Sequence, residues 1–227
     1  MKNKTSEFWK SFSKSEGVGK FSKANLEQDE VLAEIKFNHE SNLIFTTFDL
    51  QEKKRVLDLA AGTGLWSKKF SQTAEKVTHL ERERVLIEIA KANNSNENVE
   101  YVCSDVRDFE FDKCTEYDVV FISGLLLYLS DNEVCKMLQD LKGVVGDNSQ
   151  IIVRDALSVS KTRFIVDRWS SELKTHYYAT YRTSEEFKSV FSKLGYIMNE
   201  PLPLYEDGSE FNKRKETRLF TFSITTK

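Results

Sequence analysis

The chain has 227 residues, enough for one substantial domain with a buried core. A net charge of −3 gives no bulk attraction for a nucleic-acid backbone, so no nucleic-acid partner is expected. Three cysteines, an odd number without metal-ligand spacing, indicate reduced thiols, and no apolar stretch reads as a signal peptide or membrane span. We therefore expect a cytoplasmic protein without a membrane partner or a bound metal.

The N-terminal part of the chain, residues 1–50, is polar at first and then periodic. The run "LEQDEVLAEIKFNHESNLIFTTF" predicts one or two helices. The preceding "FWKSFSKSEGVGKF" contains Gly17 and Gly19, which would give hinge freedom to a lid over a bound ligand. The alternative for this segment is a frayed terminus. We predict a helical lid over residues 1–50.

From Arg55 the sequence alternates between strand and helix patterns. The predicted strands are "RVLDLA", "KVTHLE", "VEYVCSD", "YDVVFISG" and "SQIIVRDA", and the predicted helices are "GLWSKKFSQTA", "RVLIEIAKAN" and "NEVCKMLQDLKGVV". Strands that alternate with helices imply right-handed crossovers and a parallel sheet. Residues 51–155 are therefore predicted to form an α/β core.

The rest of the chain departs from this alternation. Residues 156–190 are predicted to be a substrate-side insertion, which contains a segment rich in Arg, Lys, Tyr and Ser. The run "TSEEFKSVFSKLGY" opens with a capping-box pattern and ends at Gly195, as a helix does. Within residues 191–227, "YIMNEPLPLY" and "RLFTFSIT" predict a terminal strand pair of antiparallel direction. All of these segments are assigned to a single domain, residues 1–227.

The turn after the first predicted strand, "LDLAAGTG", is unusually bare. Glycines there allow close approach of a ligand to the backbone, and the next helix offers free N–H groups. Ligands of open α/β sheets bind beyond the carboxyl ends of the strands. Glu81, Asp105 and Ser123 end the next three strands, so they face the same edge. Acids at successive strand ends indicate a nucleotide-like cofactor, whereas each acid taken singly could be a cap or a solvated group.

Two cofactor families bind at such a turn. The dinucleotide fingerprint G-x-G-x-x-G is incomplete, because Ser67 occupies its last position. The stretch "LDLAAGTG" resembles instead the first motif of class I S-adenosylmethionine-dependent methyltransferases, D-x-G-x-G-x-G, with Ala60 in place of the first glycine. The resemblance covers residues 50–155 by motif. It implies a Rossmann-like, doubly wound, seven-stranded, mostly parallel sheet with an antiparallel last strand.

The resemblance also implies roles at the cofactor, S-adenosylmethionine, which leaves as S-adenosylhomocysteine. Asp58 organises the loop, Glu81 holds the ribose hydroxyls, and Asp105 accepts a hydrogen bond from the adenine amino group. Apart from the resemblance, the predicted lid suggests that Trp9 and Lys20 cover the cofactor and pair with its carboxylate. The remaining residues expected to line the cofactor are Ala60, Gly62, Gly64, Arg82, Val106, Ser123 and Leu125.

The acceptor side is predicted from the later strands. The fourth strand continues as "SGLLLYLSD" and lacks the "[DN]PP[YF]" pattern, which favours a small-molecule acceptor. Tyr128 is a candidate catalytic residue, with a half-buried core position as the alternative. Asp155 is a candidate base and Arg154 a partner for an anionic acceptor. The alternative for these two residues is a surface ion pair.

The segment after the fifth strand completes the predicted acceptor site. His176 is a candidate base, and Tyr178, Tyr181 and Arg182 are candidate substrate ligands, because arginines and aromatics together suit sugars and anions. The expected reaction is O- or N-methylation of a small polar acceptor, possibly anionic or sugar-like, by a monomer or homodimer. The alternatives are an RNA or protein methyltransferase, an NAD-dependent oxidoreductase, and a cofactor-binding module without catalysis.

Overall fold

The computed structural model describes residues 9, 29–51, 54–111, 115–170, 175–212 and 214–226. The chain divides into two compact units, one within Ser6–Phe109 and one that comprises Glu110–Lys227. We describe each unit separately.

Residues 29–51 and 54–109 of the first unit contain three strands and three helices. These are α1 (Glu30–Thr47), β1 (Arg55–Leu59), α2 (Leu65–Phe70), β2 (Lys76–Glu81), α3 (Arg84–Asn93) and β3 (Val99–Cys103). The strands are parallel, in the order β3-β2-β1. β1 and β2 are buried along most of their length, as strands covered on both faces must be. The strand and helix assignments made for this unit from the sequence are confirmed.

Helix α1 belongs to the core of the first unit. It begins after Asp29, whose side chain accepts a hydrogen bond from the backbone N–H of Leu32 at 3.0 Å. Phe37 packs edge-on against Trp66 of α2, with ring centroids 5.1 Å apart. Aromatic contacts of this kind stabilise beyond the area that they bury. The later half of the predicted lid segment is thus held against α2.

The second unit contains the remaining elements. These are β4 (Val119–Ser123), a 3₁₀ turn (Leu126–Tyr128), α4 (Asp131–Leu141), β5 (Gln150–Ser158), β6 (Phe164–Ser170), β7 (Thr175–Tyr181), α5 (Ser184–Lys193), β8 (Tyr196–Met198), β9 (Leu202–Pro203) and β10 (Thr217–Thr226). β4 and β5 are parallel, and β10 runs antiparallel to β5, β8 and β9. The predicted antiparallel last strand is confirmed, and so is the capping box, which Thr183 and Glu186 form at α5.

One part of the second unit differs from the sequence-based expectation. Residues predicted only as a substrate-side insertion, with no strands assigned, contain an antiparallel hairpin, β6–β7, with Val166 opposite Ala179. Tyr177, Ala179 and Tyr181 are buried at alternate positions of β7, as in a strand with one buried face. The charged and aromatic residues of the segment obscured this alternation. Among the described residues, no helix is both long and apolar enough to cross a membrane.

Candidate functional site

The loop after β1 adopts a conformation that only small residues tolerate well. Ala60, Gly62 and Gly64 all have positive φ, at 54°, 58° and 77°. A residue with a Cβ in this left-handed region is strained by roughly 1–2 kcal/mol. Ala60 therefore stands in a conformation that suits glycine, which is the residue that the resembling motif has at this position.

The two glycines of the loop are needed for different physical reasons. A Cβ on Gly64 would lie 2.6 Å from the Cβ of Ala90, so Gly64 is required for packing against α3. A Cβ on Gly62 would meet no atom within 4 Å. Open space beside the backbone of Gly62 is what close approach of a ligand needs.

Glu81, at the end of β2, holds this loop. Its two carboxylate oxygens accept hydrogen bonds from the backbone N–H of Gly62 at 3.0 Å and of Glu83 at 2.8 Å. The side chain is buried, and this burial raises its pKa despite those hydrogen bonds. Each carboxylate oxygen still has a second lone pair for a hydroxyl donor. The position is therefore compatible with the predicted contact to ribose hydroxyls, which remains a prediction.

Asp58 belongs to a buried polar cluster that also contains Ser67 and His79. The Ser67 hydroxyl donates to Asp58 Oδ2 at 2.6 Å and lies 2.9 Å from His79 Nδ1. Burial, which outweighs the hydrogen bond from Ser67, raises the pKa of Asp58 to about 7. Burial also lowers the pKa of His79 to about 4. Ser67 thus has a function unrelated to the dinucleotide fingerprint, and the sequence did not reveal the contribution of His79.

Asp105 follows β3 and is paired with arginines. Its carboxylate accepts hydrogen bonds from the backbone and side chain of Arg107, and Arg82 Nη1 lies 3.4 Å from Oδ2. Burial opposes ionisation, but these donors prevail and lower the pKa of Asp105 to about 2. Asp105 is therefore an ionised acceptor, the state that its predicted contact requires. The next residue, Val106, is buried.

In the second unit, Ser123 ends β4 beside Arg154 of β5. Arg154 Nη1 donates to Ser123 Oγ at 3.2 Å, and the two residues are paired in the parallel register. Arg154 is buried, as is Leu125 in the segment after β4. The predicted contact of Arg154 with an anionic acceptor remains a prediction.

The Asp155 carboxylate is occupied by backbone donors. Oδ2 accepts from the N–H groups of Leu126 and Leu127 at 2.8 and 3.3 Å, and Oδ1 accepts from Ala156 at 2.8 Å. Burial, partly offset by these hydrogen bonds, raises the pKa of Asp155 to about 6. These contacts engage both carboxylate oxygens, and the predicted role of Asp155 as a base stays a prediction.

Arg182 is also engaged by its own chain. Its guanidinium donates to the carbonyl oxygens of Leu126 and Leu129 at 2.8 and 2.7 Å, and to Asp131 Oδ1 at 2.8 Å. The side chain is almost fully buried. This geometry differs from the predicted contact with a substrate, because the guanidinium donors are directed into the protein.

A chain of tyrosine hydroxyls forms the most distinctive polar group of the second unit. Tyr128 lies 3.4 Å from Tyr177, Tyr177 lies 3.0 Å from Tyr181, and Arg214 Nη1 donates to Tyr181 at 2.8 Å, all at the hydroxyl oxygens. The Arg214 guanidinium also lies 5.9 and 5.7 Å from the ring centroids of Tyr177 and Tyr181. We call these four residues the tyrosine–arginine cluster. Arg214 was not among the residues predicted from the sequence.

Burial fixes the protonation of these tyrosines. It raises the pKa of Tyr128, and it raises that of Tyr177 well above the usual value. Both hydroxyls therefore stay protonated at neutral pH and act as hydrogen-bond donors. Tyr128 is correspondingly poorly suited to act as a base.

His176 and Tyr178 lie on the opposite face of β7 from this cluster, because successive side chains of a strand point to opposite faces. His176 Nε2 lies 3.2 Å from Asp167 Oδ1 in a partly exposed pair. The Tyr178 hydroxyl lies 3.3 Å from the Thr180 hydroxyl. Of the predicted acceptor residues on β7, only Tyr181 shares a hydrogen-bonded group with Tyr128.

Two further predictions concern the lid and metals. Trp9 is half-buried, and Lys20 lies outside the described residues. Their contact with a cofactor stays a prediction. Within the part of the chain that the structure describes, no group of three or more His, Cys, Asp or Glu residues is placed to hold a metal ion.

Comparison with known proteins finds similarity in the region that contains the β1 loop. Residues 56–148 match a family model described as a methyltransferase domain. An uncharacterized RNA methyltransferase of Thermotoga maritima is 46% identical over 63 residues, 26% of this chain and 14% of that protein. Phosphoethanolamine N-methyltransferase 1 of Arabidopsis thaliana is 31% identical over 108 residues, 46% of this chain and 22% of that protein. The chain thus spans less than a quarter of the length of these curated relatives.

A solved structure extends the similarity to nearly the whole chain. Phosphoethanolamine N-methyltransferase 1 of Haemonchus contortus, in complex with phosphoethanolamine and S-adenosylhomocysteine, is similar with a TM-score of 0.72 and 18% identity. The match covers 99% of this chain and 49% of that chain. At this identity the similarity shows the fold. The chain therefore has the fold of a solved methyltransferase that binds S-adenosylhomocysteine, and its residues 56–148 match a methyltransferase domain, in agreement with the family that the motif after β1 resembles.

Proposed function

We propose that this protein transfers the methyl group of S-adenosylmethionine to a small anionic acceptor. The observation that carries the proposal is the loop after β1, where Gly62 leaves open space at its Cα and donates to the Glu81 carboxylate. That arrangement supports a cofactor site with an acid available to ribose hydroxyls. The Haemonchus protein of the same fold, which binds S-adenosylhomocysteine, supports the same cofactor.

We infer that the acceptor binds at the tyrosine–arginine cluster. A chain of tyrosine hydroxyls with one O–H left over from its internal hydrogen bonds, together with the Arg214 guanidinium, suits a phosphate or carboxylate group. The phosphoethanolamine methyltransferases among the relatives support a phosphate-bearing acceptor. Because Tyr128 and Tyr177 are poor bases, we expect the methylated atom to need no proton removal by them, as with an anionic oxygen or an amine nitrogen that has already lost its ammonium proton to solvent.

The test is methyl transfer to matched acceptors, with formation of S-adenosylhomocysteine as the readout. Phosphoethanolamine is compared with ethanolamine, which has the same amine and no phosphate. We expect turnover with the anionic compound. We also expect Arg214→Gln to raise the acceptor KM on the order of tenfold or more, since a charge-assisted hydrogen bond contributes about 1.5–3 kcal/mol.

A second candidate, an RNA methyltransferase, is favoured by the 46% identity to the Thermotoga protein over 63 residues. The net charge of −3 opposes it, because phosphate contacts dominate affinity for RNA. Unfractionated transfer RNA and ribosomal RNA are therefore included as acceptors in the same assay. Methylation of RNA without turnover of any small anionic compound would favour the second candidate over the first.

A further inference from the structure

The short 3₁₀ turn Leu126–Tyr128 is bonded at both ends by buried side chains of opposite charge. Asp155 receives the N–H groups of Leu126 and Leu127 at its start. Arg182 donates to the carbonyl oxygen of Leu126, the first residue of the turn, and to that of Leu129, the residue after it. The Leu126 carbonyl also accepts from the N–H of Leu129 at 3.3 Å, so Arg182 adds a second donor there. The N–H groups at the start of a helical turn have no intrahelical partners, and Asp155 supplies partners for two of them.

This bonding costs the protein desolvation of two charges. Asp155 and Arg182 are exposed by only 1% and 2%. Buried charges are expensive unless they are fully hydrogen-bonded, and replacing such pairs with apolar residues is often neutral or stabilising. Accurate positioning of one backbone segment is a reason for the protein to retain both buried charges.

The segment so held carries Tyr128. Its hydroxyl lies 3.4 Å from that of Tyr177, and the two rings meet edge to face with centroids 6.2 Å apart. A shift of the turn by an ångström would break this contact, and misplacement of that size can reduce turnover by about 100-fold. We propose that Asp155 and Arg182 are positioning residues that hold Tyr128 in the acceptor site, and are neither base nor substrate ligand.

The inference rests on the proposed function and is tested by a double-mutant cycle with Arg182→Lys and Tyr128→Phe. Lysine keeps the charge but cannot donate to Leu126, Leu129 and Asp131 in the planar geometry of a guanidinium. We expect Arg182→Lys to lower kcat/KM about tenfold, mainly through the acceptor KM. In the Tyr128→Phe background the same change should have less than about a twofold effect, because the group being positioned is already gone.

Arg163→Lys is the matched control. Arg163 also donates to Asp131, and to Glu186, but has no bond to the turn. It should leave kcat/KM unchanged in both backgrounds. If Arg182→Lys does not fold, Asp155→Asn takes its place in the cycle, since asparagine keeps one acceptor oxygen.

Three results are decisive. A loss that disappears in the Tyr128→Phe background supports the positioning role. Independent effects that multiply would overturn it, whereas the wild-type protein would still show methyl transfer. If the wild-type protein transfers no methyl group to any anionic acceptor, the proposed function fails first and the positioning role fails with it.

Discussion

Two glycines of the β1 loop are expected to affect different properties of the protein, Gly64 its stability and Gly62 its binding of the cofactor. Gly64 and Gly62 both have positive φ, but only Gly64 is packed against Ala90. Gly64→Ala adds overpacking to backbone strain and should lower the free energy of unfolding by roughly 2–4 kcal/mol. Gly62→Ala should lower it by only about 1–2 kcal/mol, from strain alone. Denaturant unfolding measures both values.

Cofactor binding is expected to depend on Gly62. We expect Gly62→Ala to weaken S-adenosylhomocysteine binding by at least about tenfold in calorimetry, because its methyl group occupies the space left for the ligand. Unchanged affinity in a folded Gly62→Ala protein would mean that the open space has no ligand in it.

Asp58 should make stability depend on pH. Its pKa is raised from 3.8 to about 7 in the folded protein, so the folded state keeps a proton that the unfolded chain has lost. This contribution to the free energy of unfolding therefore falls as pH rises between those two values. Asp58→Asn cannot ionise, so its Tm relative to wild type should rise between about pH 5 and about pH 8.

The lowered pKa of His79 acts in the opposite direction, but it is common to both proteins and cancels in the difference. Asp140→Asn, at the surface beside Lys136, is the control and should give a flat difference. A flat difference for Asp58→Asn as well would show that Asp58 is ionised in the folded state throughout this range.

At the scale of elements, the hairpin β6–β7 sorts the predicted acceptor residues by face. Tyr181 lies in the tyrosine–arginine cluster, whereas Tyr178 lies on the other face of the same strand. Tyr181→Phe removes a hydroxyl bonded to both Tyr177 and Arg214 and should raise the acceptor KM about tenfold. Tyr178→Phe is the matched control and should keep the wild-type KM.

Steady-state kinetics with the anionic acceptor distinguishes the two variants. Equal effects of both substitutions, or a larger effect of Tyr178→Phe, would place the acceptor on the outer face with His176. That outcome would favour His176 as the base.

The hairpin also shows where sequence patterns stopped being informative. Strands β1, β4 and β5 contain consecutive apolar residues, and such residues predict buried parallel strands directly. In β7, successive side chains alternate between the two faces of the strand, but tyrosines occur on both faces. Polar aromatic residues do not reveal which face is buried, so Tyr178 was predicted together with Tyr181.

At the scale of the whole molecule, local motifs predicted more than long-range contacts did. The acid and small residues of "LDLAAGTG" lie together in the chain, so their loop was recognisable from the sequence. Arg182 and Asp155 were singled out for their charge, but their partners lie 53 and 29 residues away at Leu129 and Leu126. Arg214, 33 residues from Tyr181, had no local signal beyond a basic run.

The central claim is that this chain binds S-adenosylmethionine at the β1 loop through Glu81. Calorimetric titration of the purified protein with S-adenosylhomocysteine tests it most directly, with NADH as the competing ligand and Glu81→Ala as the variant. We predict one-to-one binding of S-adenosylhomocysteine that Glu81→Ala weakens by about 10–100-fold. The surface control Glu88→Ala should leave it unchanged. Binding of NADH without S-adenosylhomocysteine, or unchanged affinity in a folded Glu81→Ala protein, would contradict the claim.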